Sequence, residues 1–207
     1  MSSTWLEWSQ QLQAIAQNGL TYSKNVYDIE RYRQIRQIAA EIMAAHSTLE
    51  LNQVLTQFKQ EAGYATPKVD VRAAVFHDNQ ILLVKEREDN CWTLPGGWAD
   101  VGESPSSAIV REVYEESGYQ TRAVKLLAVY DRNHPRHGHP PLQYQVYKLF
   151  FRCEIISGTP TASAETEAVA FFAEDQIPEL SLTRVVPSQI ARLFEHLHHP
   201  EEATDFD

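Results

Sequence analysis

The sequence predicts a mixed α/β domain preceded by a small helical one, and three observations carry that reading. Apolar residues recur at helical spacing through residues 1–66, the pattern turns to short β-like runs after Pro67, and those runs alternate with only two evident helices. Such an arrangement points to helices packed on a mixed sheet rather than to a repeating βαβ chain.

In the first part, Trp5, Trp8, Leu12 and Ile15 keep a three-to-four spacing, and Asn18–Gly19 is expected to end that helix. A second helix starts near Asp28, with Tyr32, Ile35, Ala39, Ile42 and Met43 along one face. A third, over residues 49–61, carries Leu51, Leu55 and Phe58. Gly63 and Pro67 then make "EAGYATPK" a hinge, because proline also restricts Thr66. Three short amphipathic helices bury little surface alone. Two readings fit residues 1–66: a cap on the domain that follows, or a dimerisation element that also supports the substrate site. Trp5 and Trp8 suit either as core or as interface anchors.

The second part is expected to span residues 67–203. "VDVRAAVFH" and "ILLVKE", separated by "DNQ", read as a hairpin. A glycine turn leads to a helix over 105–117, and strands are expected at 121–131, 143–155 and 168–173. "PSQIARLFEHLHH" supplies the last helix, with Ile190, Leu193 and Leu197 in register.

The 207 residues hold no apolar run long enough to cross a bilayer, and the first ten lack the basic start and apolar stretch of a signal peptide. Only Cys91 and Cys153 occur, which argues against a disulfide-stapled secreted domain. A cytoplasmic location is the expectation. A net charge of −10 weighs against an extended nucleic-acid surface, although a cation held by clustered carboxylates would still accept a phosphate-bearing substrate.

Residues 96–119, "GGWADVGESPSSAIVREVYEESGY", concentrate the chemistry. Ser104 and Pro105 start a helix and Gly118 stops it. Ile109, Val110, Val113 and Tyr114 form its apolar arc, while Glu112, Glu115 and Glu116 are expected on the opposite face. Like charges at that spacing repel. A solvated acidic face is the plain reading. Arg111 beside the acids and a glycine turn that lets backbone approach a ligand favour another, the binding of a hard cation such as Mg²⁺ or Mn²⁺.

Gly97, Glu103, Arg111, Glu112, Val113, Glu115, Glu116, Gly118 and Tyr119 resemble the signature of the Nudix hydrolases over 23 residues, with a tyrosine where an aliphatic residue is more usual. The resemblance implies an α/β/α sandwich that hydrolyses a nucleoside diphosphate linked to another group. By position, Glu112, Glu115, Glu116 and the carbonyl of Gly97 would ligate Mg²⁺ or Mn²⁺. Arg111 would hold a metal-binding glutamate, and Glu103 would support the loop. Glu116 leads as base or base-orienting ligand, with Glu165 and Glu167 as alternatives from a later loop.

Substrate choice falls outside that motif. His134, His137 and His139, set among prolines with Arg136, fit a substrate-facing loop, a plain surface loop or a transition-metal site. Lys85 and Arg87 are candidates for a terminal phosphate, and Arg72 is grouped with them as a substrate contact. Trp92, Trp98, Tyr27 and Tyr130 could stack on a base, Trp98 being nearest the motif, or serve in packing. The helical N-terminus, the histidine loop and "ELSLTRVVPSQIARLFEHL" resemble a Nudix subgroup of dimeric CDP-choline and ADP-ribose pyrophosphatases. That likeness implies CDP-choline cleavage to CMP and phosphocholine first, with ADP-ribose cleavage to AMP and ribose 5-phosphate as the alternative. Trimming of short RNA from its 3′ end and a non-catalytic nucleotide-binding module are the rivals.

Overall fold

In the computed structural model, which describes residues 4–207, the chain divides into two units. One runs to Pro67 and includes Pro141–Gln145; the other holds Lys68–Pro140 and Val146–Asp207.

The first unit consists of α1 (Thr4–Tyr22), α2 (Val26–Ala45) and α3 (Leu51–Gln60) around Leu6, Ala39, Ala40, Met43, Val54 and Phe58. Its packing corrects the expected stripe on α1. Leu6, Ser9, Gln13, Ala16 and Gln17 are buried, whereas Trp8 and Ile15 face outward. The polar members are accommodated because Ser9 Oγ donates to Ala39 O at 2.8 Å and Gln13 Nε2 to Phe58 O at 3.2 Å. Gly19 does not end the helix: the Tyr32 ring lies 2.4 Å from where its Cβ would be, so glycine here serves close packing. Asn25 caps α2, its Oδ1 accepting from the amides of Tyr27 and Asp28.

In the second unit, β1 (Lys68–His77) and β2 (Gln80–Glu86) form the expected hairpin. Asp78 and Asn79 both take positive φ, 50° and 60°, as a two-residue turn between twisted strands requires. The remaining elements are β3 (Trp92–Thr93), α4 (Pro105–Ser117), β4 (Tyr119–Asp131), β5 (Val146–Gly158), β6 (Thr166–Phe172), α5 (Pro187–His198) and β7 (Asp205–Phe206). Strand order is β3-β2-β1-β5-β4-β7, with β6 pairing β2. β1 runs parallel to β5 and antiparallel to β2, so the sheet is mixed.

Alternation along β1 builds two cores. Val71, Ala73 and Val75 pack with Ala108, Ile109 and Val113 of α4, while Ala74 joins Ile81, Leu83, Ile190, Leu193 and Phe194 under α5. The strand therefore sits between two helical layers. β7 lies beyond residue 203, where the domain was expected to end; two residues carry no periodicity for a sequence reading to detect.

Candidate active site

Ser104 and Gly118 delimit the acidic helix. Ser104 Oγ accepts from the Ser107 amide at 3.2 Å, Pro105 opens the first turn, and Gly118 stops the helix at φ 77°. Upstream, residues 95–99 run antiparallel to β1: Val71 donates to Gly97 O at 2.8 Å and Ala73 to Pro95 O at 2.9 Å. The strand thereby holds the glycine turn against α4. A Cβ on Gly97 would lie 3.0 Å from Glu112 Oε2, so the absent side chain lets the carboxylate approach.

The expected faces of α4 need correction. Tyr114 is exposed, and Glu116 is buried with Ala108, Ile109, Val113 and Ser117. The pattern misleads because Glu116 has an internal partner, the Gly96 amide, which donates to Oε2 at 2.8 Å. Burial pushes the Glu116 carboxyl up to about 8, against the opposing pull of Arg72 and the Gly96 amide. Burial raises Glu112 as well, despite Arg111. Arg111 grips Glu103 through Nε and Nη2, both at 3.0 Å, and its Nη1 reaches Glu112 Oε1 and Glu115 Oε2, each at 2.9 Å. Hydrogen bonding to Arg111 lowers the Glu103 pKa.

These groups border a cavity of about 670 Å³ within the second unit. Arg72, Trp98, Arg111, Glu112, Glu115 and Glu116 line it, as does Glu165 from the loop before β6. Glu167 instead pairs with Lys85 at 3.0 Å. Lys85 and Arg87 are not among the lining residues, and Arg87 Nη2 donates to Ser163 O at 3.4 Å. Nor are the three histidines. His139 Nδ1 lies 2.8 Å from Leu182 O, and His137 Nε2 lies 3.0 Å from Asp207 Oδ1. Trp92 packs edge-on against Phe172, Tyr130 is buried, and Tyr27 is an exposed residue of the first unit.

Sequence reading missed Glu86, Asp100 and Arg184 as lining residues. Glu86 ends β2 after an apolar run and is buried; Arg184 reaches it at 3.3 Å from "SLTRVVP", which carries no spacing signal. Arg72 is fixed from beneath, with Nε and Nη2 donating to the two Asp70 oxygens at 2.9 and 2.7 Å. Lys148 Nζ donates to the same carboxylate at 2.6 Å.

A hard divalent cation fits this donor set. Glu112, Glu115, Glu116 and the Gly97 carbonyl offer only oxygen, and the burial-raised pKa values of Glu112 and Glu116 show that their charge is undercompensated. Their carboxylates do not form a set of three donors within 4.8 Å of one another. Arg111 draws two of them to itself and the Gly96 amide holds the third.

Carboxylates on one helix, a glycine turn against them and guanidiniums lining the same cavity define a hydrolase site for anionic phosphate compounds. Residues 66–194 match the NUDIX domain, and the chain belongs to that family of pyrophosphatase hydrolases acting on nucleoside diphosphate-linked compounds. Residues 3–58 match the UDP-X-like, N-terminal oligomerisation domain. The Bacillus subtilis protein YjhB, provisionally named an ADP-ribose pyrophosphatase, is 46% identical over 207 residues, 100% of this chain and 99% of its own length. The crystal structure of a UDP-X diphosphatase superposes with a TM-score of 0.64 at 34% identity, covering 100% of this chain and 99% of that one. A Streptococcus suis ADP-ribose pyrophosphatase superposes with a TM-score of 0.61 at 38% identity, covering 69% of this chain and all of the other.

Proposed function

We propose that this protein is a Mg²⁺- or Mn²⁺-dependent diphosphatase that splits a nucleoside diphosphate linked to another group into two monophosphates, with ADP-ribose ahead of CDP-choline. The observation that carries the hydrolytic reading is the buried Glu116 with Glu112 and Arg72 in one cavity, both carboxyls raised by burial against the pull of nearby guanidiniums. Six carboxylates (Glu86, Asp100, Glu112, Glu115, Glu116 and Glu165) face three guanidiniums (Arg72, Arg111 and Arg184) in the cavity. A diphosphate entering that surplus of negative charge requires further cationic compensation. When bound, the divalent ion supplies that neutralisation and acidifies water.

The chain's own groups divide the remaining work. Glu112, Glu115, Glu116 and the Gly97 carbonyl hold the ion, and Arg111 fixes Glu112 and Glu115 while anchored on Glu103. Arg72 and Arg184 present donors to phosphoryl oxygens. Glu116 leads as base or base-orienting group, and Glu165 stands on the cavity wall as the alternative proton acceptor. The attacking water oxygen bonds to phosphorus, the anhydride P–O bond breaks, and the leaving phosphate keeps its electron pair.

Two observations favour ADP-ribose over CDP-choline, which the sequence resemblance had placed first. The full-length relative at 46% identity carries the ADP-ribose pyrophosphatase name, and the cavity contains one aromatic ring, Trp98, where a quaternary ammonium is best held by several. None of the relatives described above is named for RNA cleavage.

A homodimer formed through residues 1–66 completes the reading, supported by the match to an oligomerisation domain and by outward-facing Trp8, Ile15, Val26, Tyr27 and Ile38. Light scattering should give about twice the 23.6 kDa chain mass. A cytoplasmic setting accords with the substrate class, and among the described residues no helix is long and apolar enough to cross a membrane.

The deciding assay compares kcat/KM for ADP-ribose, CDP-choline, a UDP-sugar and a short RNA, with Mg²⁺ or Mn²⁺, against Glu116→Gln. ADP-ribose cleavage that vanishes in the variant is expected. Turnover no greater than that of the variant on every substrate would leave the binding module, and successive mononucleotide release from RNA alone would replace the diphosphatase.

A further inference from the structure

Outside the cavity, the loop after β4 and the end of the chain assemble a second cluster. Among the described residues, His134, His137 and Asp207 form a set of three whose ligand-type atoms all lie within 4.8 Å of one another. We propose that this cluster binds one transition-metal ion of the zinc class, through an imidazole nitrogen of His134, Nε2 of His137 and Oδ1 of Asp207. The site is independent of the hydrolytic reading.

Local structure preorganises these donors. The His134 amide donates to Asp131 O at 3.0 Å and the His137 amide to His134 O at 3.1 Å, and the two rings meet edge to face with centroids 6.0 Å apart. His137 is buried, and its ring lies 4.4 Å from that of Tyr130, tilted by 39°. Asp207 is anchored through Oδ2, which accepts from the Asp131 amide, and this leaves Oδ1 directed at the histidine.

His137 Nε2 already points at a carboxylate. Asp207 Oδ1 lies 3.0 Å away, a contact that is favourable when a proton, or a cation in its place, stands between the two atoms. Arg136 Nε lies 3.4 Å from the same nitrogen, at the outer limit of a hydrogen bond. A cation between Nε2 and Oδ1 uses the lone pair and the carboxylate together.

Distance and ligand type agree with zinc. Two ligands on a tetrahedral zinc with bonds of about 2.0–2.1 Å stand roughly 3.3–3.4 Å apart, within a few tenths of an ångström of the 3.0 Å between His137 Nε2 and Asp207 Oδ1, and His134 lies within 4.8 Å of both. Imidazole nitrogens favour zinc and its transition-metal neighbours over Mg²⁺. Arg136 is the internal competitor: its Nη2 pairs with Asp207 Oδ1 at 2.8 Å. It keeps two other contacts if displaced, the Phe206 carbonyl at 3.2 Å and the face of Tyr130 at 5.4 Å. Coordination would reinforce the link between the loop and β7, which pairs with β4 over two residues and is also held to it by the side chains of Asp205 and Asp207.

The test is calorimetric titration of the full chain with ZnCl₂ in excess Mg²⁺, which keeps the oxygen-only site occupied, with hydrogen exchange read at residues 205–207. One zinc per chain and slowed exchange there are expected. His134→Ala, at an exposed position, should weaken binding by more than the roughly tenfold that loss of an outer hydrogen-bond partner costs, with an unchanged Tm in the absence of zinc. Arg136→Gln should tighten binding, because it removes the competitor. Unaltered affinity in His134→Ala, failure of Arg136→Gln to tighten, or weak and non-stoichiometric uptake (an adventitious ion only) would each overturn the proposal.

Discussion

The amide of Gly96 donates to Glu116 Oε2 at 2.8 Å, and the same glycine has φ 140° with the Val71 carbonyl 2.0 Å from where a Cβ would stand. One backbone position thus both orients the buried carboxylate and excludes every other residue. Gly96→Ala should cost more than about 2 kcal/mol in urea unfolding and abolish hydrolysis. Gly97→Ala separates the two effects. Its Cβ would crowd the Glu112 carboxylate at 3.0 Å without a backbone clash, so activity should fall steeply with stability changed by less than about 1 kcal/mol.

Burial raises Glu116 to about 8, so between the ordinary carboxylate range and that value the folded chain keeps a proton that the unfolded chain has released. This contribution to stability is fully present below the window and is lost as pH rises through about 8. A divalent cation competes with the same proton, so its binding tightens over that interval. The Tm increase on adding Mg²⁺ should therefore be larger near pH 8.5 than near pH 6, as measured by calorimetry on metal-stripped protein. Glu116→Gln should remove most of that pH dependence, and chelation with EDTA should stop turnover.

The parts of the molecule legible in the sequence are those written in local chemistry. Ser104, Pro105 and Gly118 bound a helix because each satisfies or permits one backbone requirement at its own position, and the structure starts and stops the helix there. The hairpin was visible because Asp78 and Asn79 tolerate positive φ between two apolar runs. What failed depended on distant partners. Ser9 and Gln13 are buried because Ala39 and Phe58 offer carbonyls across the unit, and Glu116 turns inward because Gly96 supplies an amide. Spacing alone would place all three outside. Arg184 and Glu86 come together across nearly a hundred residues, a relationship no periodicity encodes.

Asp70 carries two buried cations, Arg72 at 2.7 Å and Lys148 at 2.6 Å. Against the opposing effect of burial, they hold its pKa down to about 2, so its stabilising contribution is present above the ordinary aspartate range and is lost as pH falls through about 2. Asp70→Asn would leave Lys148 without its carboxylate and Arg72 with only the cavity glutamates to offset it. It should destabilise the fold by about 3–5 kcal/mol in urea at neutral pH. Asp70→Asn combined with Lys148→Met should recover part of that loss, since the second change removes one stranded charge.

Arg184 should matter to substrate binding where Lys85 and Arg87 do not. Lys85 is neutralised by Glu167 at 3.0 Å and Arg87 Nη2 donates to Ser163 O, and neither lines the cavity. Arg184 does line it, braced by Glu86 at 3.3 Å, Glu88 at 2.6 Å and Asp89 at 3.4 Å. Those carboxylates restrict the guanidinium before substrate arrives, which lowers the entropy cost of presenting its donors to a phosphate. Arg184→Gln should raise KM for the diphosphate substrate by roughly tenfold or more, with a smaller effect on kcat, the pattern of lost binding in ground and transition states alike. Lys85→Met should leave both constants within about threefold of the parent, because it removes only an ion pair that does not line the cavity. Equal losses in the two variants, measured on ADP-ribose with saturating Mg²⁺, would remove Arg184 from the substrate site.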